Sequence, residues 1–216
     1  MHSVILIGGG GNCKKVIDML ISYQIKIDGV LDDLYENDEI PFYRNTYIIG
    51  KTSNVRQYSN AQIYVTIGNI DFRKRFSQTY PELLYPNLFH KNAYISETVE
   101  LGKGIIVHHG VYIGSDAVIG DFCHIDTNAS VEHDCILGSN VMICPLVSMC
   151  GNSKIDNNVF VGAGTTINNS TKLQPIVIGN NSFIGSGSLI TRSVPENVLY
   201  YGTPTNKTIK SSPHKE

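Results

Sequence analysis

From residue 95 onward an aliphatic side chain recurs at every sixth position: Ile95, Leu101, Val107, Ile113, Ile119, Ile125, Val131, Leu137, Ile143, Met149, Ile155, Val161 and Ile167. A second register runs two residues ahead of it and holds mostly small residues: Val99, Val111, Ala117, Cys123, Ala129, Cys135, Val141, Val147, Ser153, Val159 and Thr165. Glycine often follows the aliphatic residue, as at Gly102, Gly114, Gly120, Gly138 and Gly162. A helix repeats its apolar face every 3.6 residues and a strand every two, so a sustained period of six belongs to neither. It predicts a triangular solenoid in which each hexapeptide makes one short strand and one corner, with both registers pointing into a shared core. The register slips after Ile167 and resumes at Ile178, Ile184 and Ile190, so residues 168–176 are expected to loop out. About five coils result.

Residues 1–88 follow another rhythm. Ser3 to Ile7 reads as an apolar strand, Gly8 to Gly11 as a turn, and Lys14 to Ile21 as a helix. Lys26 to Leu31 and Ile63 to Ile67 read as further strands, the first ended by Asp32 and Asp33, the second by Gly68 and Asn69. Alternating strands and helices predict a small parallel α/β sheet of Rossmann-like type. A glycine turn between strand and helix suits phosphate, because free N–H groups and the helix dipole converge there. Gly8 and Gly10 match the start of a dinucleotide fingerprint, but Cys13 stands where its third glycine belongs. The alternative is a turn needed only for close packing. Acids after the second strand sit where such folds contact a ribose or base, or they are simply a solvated strand end. The expected domains are therefore 1–88 for nucleotide binding, 89–194 for the solenoid, and a tail over 195–216.

Composition narrows the function classes. With 42% hydrophobic and 17% charged residues and a net charge of −2, nothing points to nucleic acid. No apolar run is long enough for a bilayer, and the start of the chain lacks a signal-peptide pattern, so a cytoplasmic location is expected. The five cysteines show no CxxC spacing, which argues against a disulfide framework or a structural zinc site. Cys123 and Cys135 fall in the inward register and are expected to be core filler.

The strand–glycine-turn–helix, the Asp–Asp end of the second strand, and a hexapeptide solenoid containing Val131-Glu132-His133-Asp134-Cys135 together resemble the nucleotide-sugar acetyltransferases. That family includes the bacillosamine, perosamine and viosamine N-acetyltransferases and the sialic-acid O-acetyltransferase relatives. The resemblance spans residues 3 to 207. It implies a left-handed parallel β-helix, a homotrimer, acetyl-CoA as co-substrate held between neighbouring β-helices, and no metal. It also implies a UDP-linked 4-amino-4,6-dideoxy sugar as acceptor. By position it makes His133 the general base, Asp134 its orienting acid, and Gly151 the N–H donor to the thioester oxygen. It assigns Met142, Gly151, Ala163, Gly164, Gly202 and Pro204 to the coenzyme. Gly8, Gly10, Gly11, Asn12, Asp32, Asp33, Gly68 and Asn69 go to the nucleotide sugar. The chain departs from the family pattern at Asn12 and Met142, where histidine is common, and at Leu146, where glycine is usual.

The repeat independently singles out His133. It lies two residues after inward Val131, so it should point outward near a corner, where a surface histidine is the default. Two acids flank it, and Gly151 follows by one full coil, about 4.8 Å away as neighbouring strands are. A base and an oxyanion donor one strand apart can bracket a tetrahedral intermediate. The other histidines fit less well. His108 and His109 are expected at the outer surface or between subunits, and His124 has no partner at zinc-ligand spacing. Three alternatives remain at this point: sugar O-acetylation with the same base, a β-helical zinc hydratase using His109, His124 and His133, and a non-catalytic binding module.

Overall fold

The computed structural model describes residues 3–36 and 39–202 and the backbone of 208–209. The chain forms two compact units that divide after Pro86.

In the front unit, β1 (Val4–Ile7), β2 (Gly29–Leu31), β3 (Ile40–Tyr43), β4 (Thr46–Gly50) and β5 (Gln62–Val65) form one sheet in the order β3-β4-β2-β1-β5. β1, β2, β4 and β5 run parallel, and β3 closes the edge antiparallel to β4. All four residues of β1 are buried, the uninterrupted apolar run that a central parallel strand requires. α1 (Gly11–Ser22) lays Cys13, Val16, Ile17, Met19 and Leu20 into the core. α2 (Ile70–Thr79) is capped by Asn69, whose Oδ1 accepts from the Phe72 N–H at 2.9 Å. β3, β4 and α2 were not anticipated from the pattern, and β2 is shorter than the expected 26–31.

The coil unit carries the period of six into three parallel sheets, the faces of a left-handed prism. The first face stacks the strands beginning at Leu88–Phe89, the second those beginning at Tyr94–Ile95, and the third those beginning at Glu100–Leu101. Residues eighteen apart pair across coils, as in Ile113 with Val131 and Val131 with Met149. After the 168–176 loop the offset becomes Lys154 with Val177, so the insertion sits on one corner and leaves the stack intact. Inward aliphatic residues from Val107 to Ile190 are at most 1% exposed, and the small register beside them is equally buried. Each fully buried aliphatic side chain contributes about 1.5–3 kcal/mol. Ile95 and Leu101 escape burial because the first coil has no coil beneath its core. Paired strands continue beyond residue 194: Leu199–Tyr200 stacks in parallel on Phe183–Ile184, and Thr208–Ile209 pairs antiparallel with Leu199–Tyr200 at the sheet's edge.

The corners recur every six residues with a left-handed backbone, at Asp116, Asn128, Asp134, Asn140, Asn152 and Asn158 among others. Asparagine and aspartate tolerate this conformation because their side chains bond locally. Leu146 adopts it too, with φ 61° and 63% exposure, at a position where a branched side chain is strained. Along one corner Asn140, Asn158, Asn181 and Asn197 form a ladder of amide hydrogen bonds, each 3.1 Å.

Candidate active site

His133 and Asp134 stand on the corner between the second and third faces, Asp134 being its left-handed residue with φ 58°. His133 Nδ1 lies 2.8 Å from Asp134 Oδ2. An ionised carboxylate only accepts, so Nδ1 carries a proton, and in the neutral tautomer this leaves the lone pair on Nε2. One coil further, Gly151 is buried directly against the ring: a Cβ there would come within 2.6 Å of both Cε1 and Nε2 of His133. Only glycine leaves the imidazole in place. Among the described residues, no acceptor takes the Gly151 N–H, whereas the neighbouring Cys150 N–H bonds to Ile167 O and the Asn152 N–H to His133 O. The corner thus pairs a proton acceptor with a free backbone donor one strand apart.

The outer oxygen of Asp134 is held as well. Lys172 Nζ, carried on the 168–176 loop, is 2.6 Å from Asp134 Oδ1. Its hydrogen bond, and then that of His133, keep the Asp134 carboxyl below the usual range, and Asp134 in turn pushes the Lys172 ammonium up. A groove of about 270 Å³ opens beside this cluster, lined among others by Val118, Ile136, Lys154 and Pro175.

The residues assigned to the coenzyme are placed unevenly. Gly151 is at the histidine. Ala163 and Gly164 occupy the corner between the first and second faces, and nothing lies within 4 Å of a Cβ built on Gly164, whose φ is 68°. Met142 is 5% exposed within its own chain, stacked between His124 and Phe160, so the coenzyme contact expected of its side chain is not open there. Gly202 is described, with φ 99°, and Pro204 lies outside the described residues.

In the front unit a second cleft is walled by Gly8, Gly10, Gly11, Asn12, Asp32, Thr66, Ile67 and Gly68. Gly8 has φ 95°, and a side chain there would overlap Ile67. Gly10 and Gly11, at the start of α1, are exposed, and a Cβ built on either would meet nothing within 4 Å. The Cβ position of Gly68 is filled by Asn12 Nδ2 at 3.2 Å. The acids are already engaged. Asp32 Oδ2 accepts from Gly9 N–H at 2.6 Å and Oδ1 from Leu34 N–H at 2.8 Å. Asp33 Oδ1 accepts from both N–H and Oγ1 of Thr52. Neither Asp33 nor Asn69, the α2 cap, lines the cleft. The expectation that all of these reach the substrate is corrected to that extent: both Asp32 oxygens, Asp33 Oδ1 and Asn69 Oδ1 already accept from Gly9, Leu34, Thr52 and Phe72.

Other expectations also change. His108 is only 5% exposed, not an outer-surface residue, because it follows inward Val107 in a column that continues through buried Asp126 and Cys144. His124 is buried at 2%, while His109 is exposed and packs edge-on against His90 at 5.0 Å. His109, His124 and His133 occupy different corners and faces of one prism. Cys123 and Cys135 sit inside it, their thiols donating to Gly138 O and Cys150 O, and burial pushes the Cys135 thiol up to about 11. Lys172 was not anticipated, since it lies outside the repeat and no spacing points to it. Among the described residues no helix is long and apolar enough to cross a membrane.

Comparison with known proteins follows the same division. Residues 3–80 match the PglD N-terminal domain, residues 116–147 and 134–169 the bacterial transferase hexapeptide (six repeats), and residues 175–195 the hexapeptide repeat of succinyl-transferase. The chain is 39% identical over 119 residues to protein L142 of Acanthamoeba polyphaga mimivirus, covering 55% of this chain and 24% of that one, so it spans about a quarter of that protein's length. It is 30% identical over 167 residues to the GDP-perosamine N-acetyltransferase of Escherichia coli O157:H7, covering 76% of this chain and 72% of that enzyme. Among solved structures, PerB from Caulobacter crescentus in complex with CoA and GDP-perosamine superposes with a TM-score of 0.83 at 28% identity, over 94% of this chain and 95% of that one. The acetyltransferase domain of PglB from Neisseria gonorrhoeae FA1090 shares the fold, with a TM-score of 0.85 at 23% identity over 98% and 100% of the two chains.

Proposed function

The chain belongs to the nucleotide-sugar N-acetyltransferases, and from that premise we propose that it transfers the acetyl group of acetyl-CoA to the 4-amino group of a nucleotide-linked 4-amino-4,6-dideoxy sugar. The observation that carries this reading is the His133 corner, where Nε2 and the Gly151 backbone meet while Asp134 holds Nδ1. The neutral amine attacks the thioester carbonyl, and the His133 Nε2 lone pair accepts the proton released as the C–N bond forms. The Gly151 N–H meets the developing oxyanion. Loss of one such donor costs about 10²–10³ in rate in other enzymes. As the C–S bond breaks, the proton on His133 is available to the departing thiolate. No acyl-enzyme is needed, which agrees with the inward, poorly ionised Cys135 thiol.

The coenzyme would lie against small residues, supported by Gly151 beside the base and the open corner of Ala163 and Gly164. These lie on different corners of a single prism, which favours a cleft shared with a second copy. That supports a homotrimer, whose closed symmetry completes three equivalent sites. Light scattering is expected to give a trimer mass at micromolar concentration, and a monomer would remove the shared cleft.

The front unit would hold the nucleotide diphosphate at the start of α1, where Gly10 and Gly11 leave the backbone accessible. GDP replaces the UDP expected from sequence as the first handle to test, because the E. coli and C. crescentus relatives carry GDP-perosamine in their names. A thiol-release assay with acetyl-CoA should show turnover with a GDP-linked 4-amino sugar and less with its UDP counterpart. Absence of CoA release with either would overturn the reading.

A further inference from the structure

The acid that orients His133 is itself gripped from outside the repeat. Residues 168–176 leave the hexapeptide register and are pinned back onto the same corner. Ser170 N–H donates to Gly151 O at 3.1 Å, Ser170 Oγ to Asn152 O at 3.0 Å, and Asn152 Nδ2 to Ser170 O at 3.3 Å. Gln174 N–H donates to Thr171 O at 3.0 Å and to Thr171 Oγ1 at 3.1 Å, closing a turn with Lys172 and Leu173 at its tip. From that tip Lys172 Nζ reaches Asp134 Oδ1 at 2.6 Å, while Asp134 Oδ2 faces His133 Nδ1 at 2.8 Å. We propose that Lys172 is a positioning residue for acetyl transfer, fixing the Asp134 carboxylate so that His133 keeps its proton on Nδ1 and remains a neutral acceptor at Nε2. The proposal rests on the reading of His133 as the base.

The physical reason has two parts. A carboxylate turns about a broad torsion, and anchoring one oxygen leaves the other aimed at Nδ1. A lysine charge on the shared acid also opposes a second positive charge on the imidazole, so Asp134 can orient the ring without drawing it into the imidazolium form. The other charged groups around the corner are Glu132 on the same turn, Asp116 one coil before, and Lys154, which is paired with Asp156 at 3.3 Å. Among the described residues, Lys172 is the lysine that contacts Asp134. Its side chain is 75% exposed, which limits the effect to the size an exposed ion pair supports.

The test uses the full-length enzyme with Lys172→Met and Lys172→Arg. For Lys172→Met, kcat should fall about fivefold with KM for both substrates unchanged. The acidic limb of its pH–rate profile should move to higher pH, because removing a cation favours the protonated imidazole. Lys172→Arg should restore both. NMR of the His133 ring, followed across pH, should show the same upward displacement in Lys172→Met without any substrate present. Resonances that titrate as in the wild type would overturn the proposal. So would a raised KM with unchanged kcat, which would assign Lys172 to ligand binding. If the resonances move but His133→Asn retains its rate, the base reading falls while the coupling of Lys172 to His133 holds.

Discussion

The cleft beside the glycine turn and the His133 corner are built from opposite materials. In the front unit the open groups are backbone peptides at Gly10 and Gly11, and the conspicuous side chains are engaged, Asp32 with Gly9 and Leu34 and Asp33 with Thr52. In the coil unit the strand backbone is paired from coil to coil, and the candidate reactive groups are side chains standing out from a corner. The difference follows from how each unit satisfies its own polar groups. A parallel sheet that feeds a helix leaves the first helical N–H groups without partners, and these are what a phosphate would meet. A β-helix leaves no such end, so its chemistry depends on what the corner residues carry. Gly151 draws on both materials: like His133 one coil before it, it has an N–H unclaimed among the described residues, and it lies directly against the His133 ring.

The largest effect that would break this contrast is at the side chain. His133→Asn preserves shape and polarity but cannot accept the proton, and kcat should fall about 10²–10⁴. Calorimetry should find acetyl-CoA binding retained. Retention of more than a tenth of wild-type kcat would return His133 to an ordinary surface residue. Gly151→Ala probes the same corner through the backbone. Its Cβ would intrude to 2.6 Å from the ring, and displacing a catalytic group by about 1 Å costs about 10² in rate. A variant as fast as the wild type would show that the ring can move aside without consequence.

Asp32→Ala sharpens the front side of the comparison. Losing two charge-assisted bonds to the turn should destabilise the fold by about 1.5–3 kcal/mol. It should also raise KM for the nucleotide sugar about tenfold, with KM for acetyl-CoA unchanged. Equal changes in both constants would make Asp32 purely structural. The smallest effect is expected at Cys123→Ala and Cys135→Ala, each lowering stability by about 1 kcal/mol with kcat nearly intact, measured by thermal unfolding and thiol release. A thousandfold loss of kcat in folded protein would mean that these thiols face the chemistry.

Much of the coil unit is legible in the sequence, because each coil repeats the last and a local pattern of six becomes the global core. Ile113, Val131 and Met149 stack in the structure as their spacing requires, and the slip after Ile167 appears as the looped 168–176 segment. The stacking of Gly151 on His133 was readable for the same reason: eighteen residues is one turn of the prism. The front unit was less legible. β3 and β4 carry no clear alternation, and α2 depends on a cap at Asn69 that the pattern alone had pointed toward substrate. The sequence by itself determined the repeat, its inward and outward registers, and the coincidence of a histidine with a glycine one coil later. Only the tertiary structure decided which polar groups were already taken. It bonded Asp32 and Asp33 to nearby backbone, buried His108 and Met142, and brought Lys172 to Asp134 from a loop outside the repeat. Periodicity records where a side chain points relative to its own strand; hydrogen-bond partners depend on which segments meet in space, and a loop that leaves the period carries no mark of where it returns.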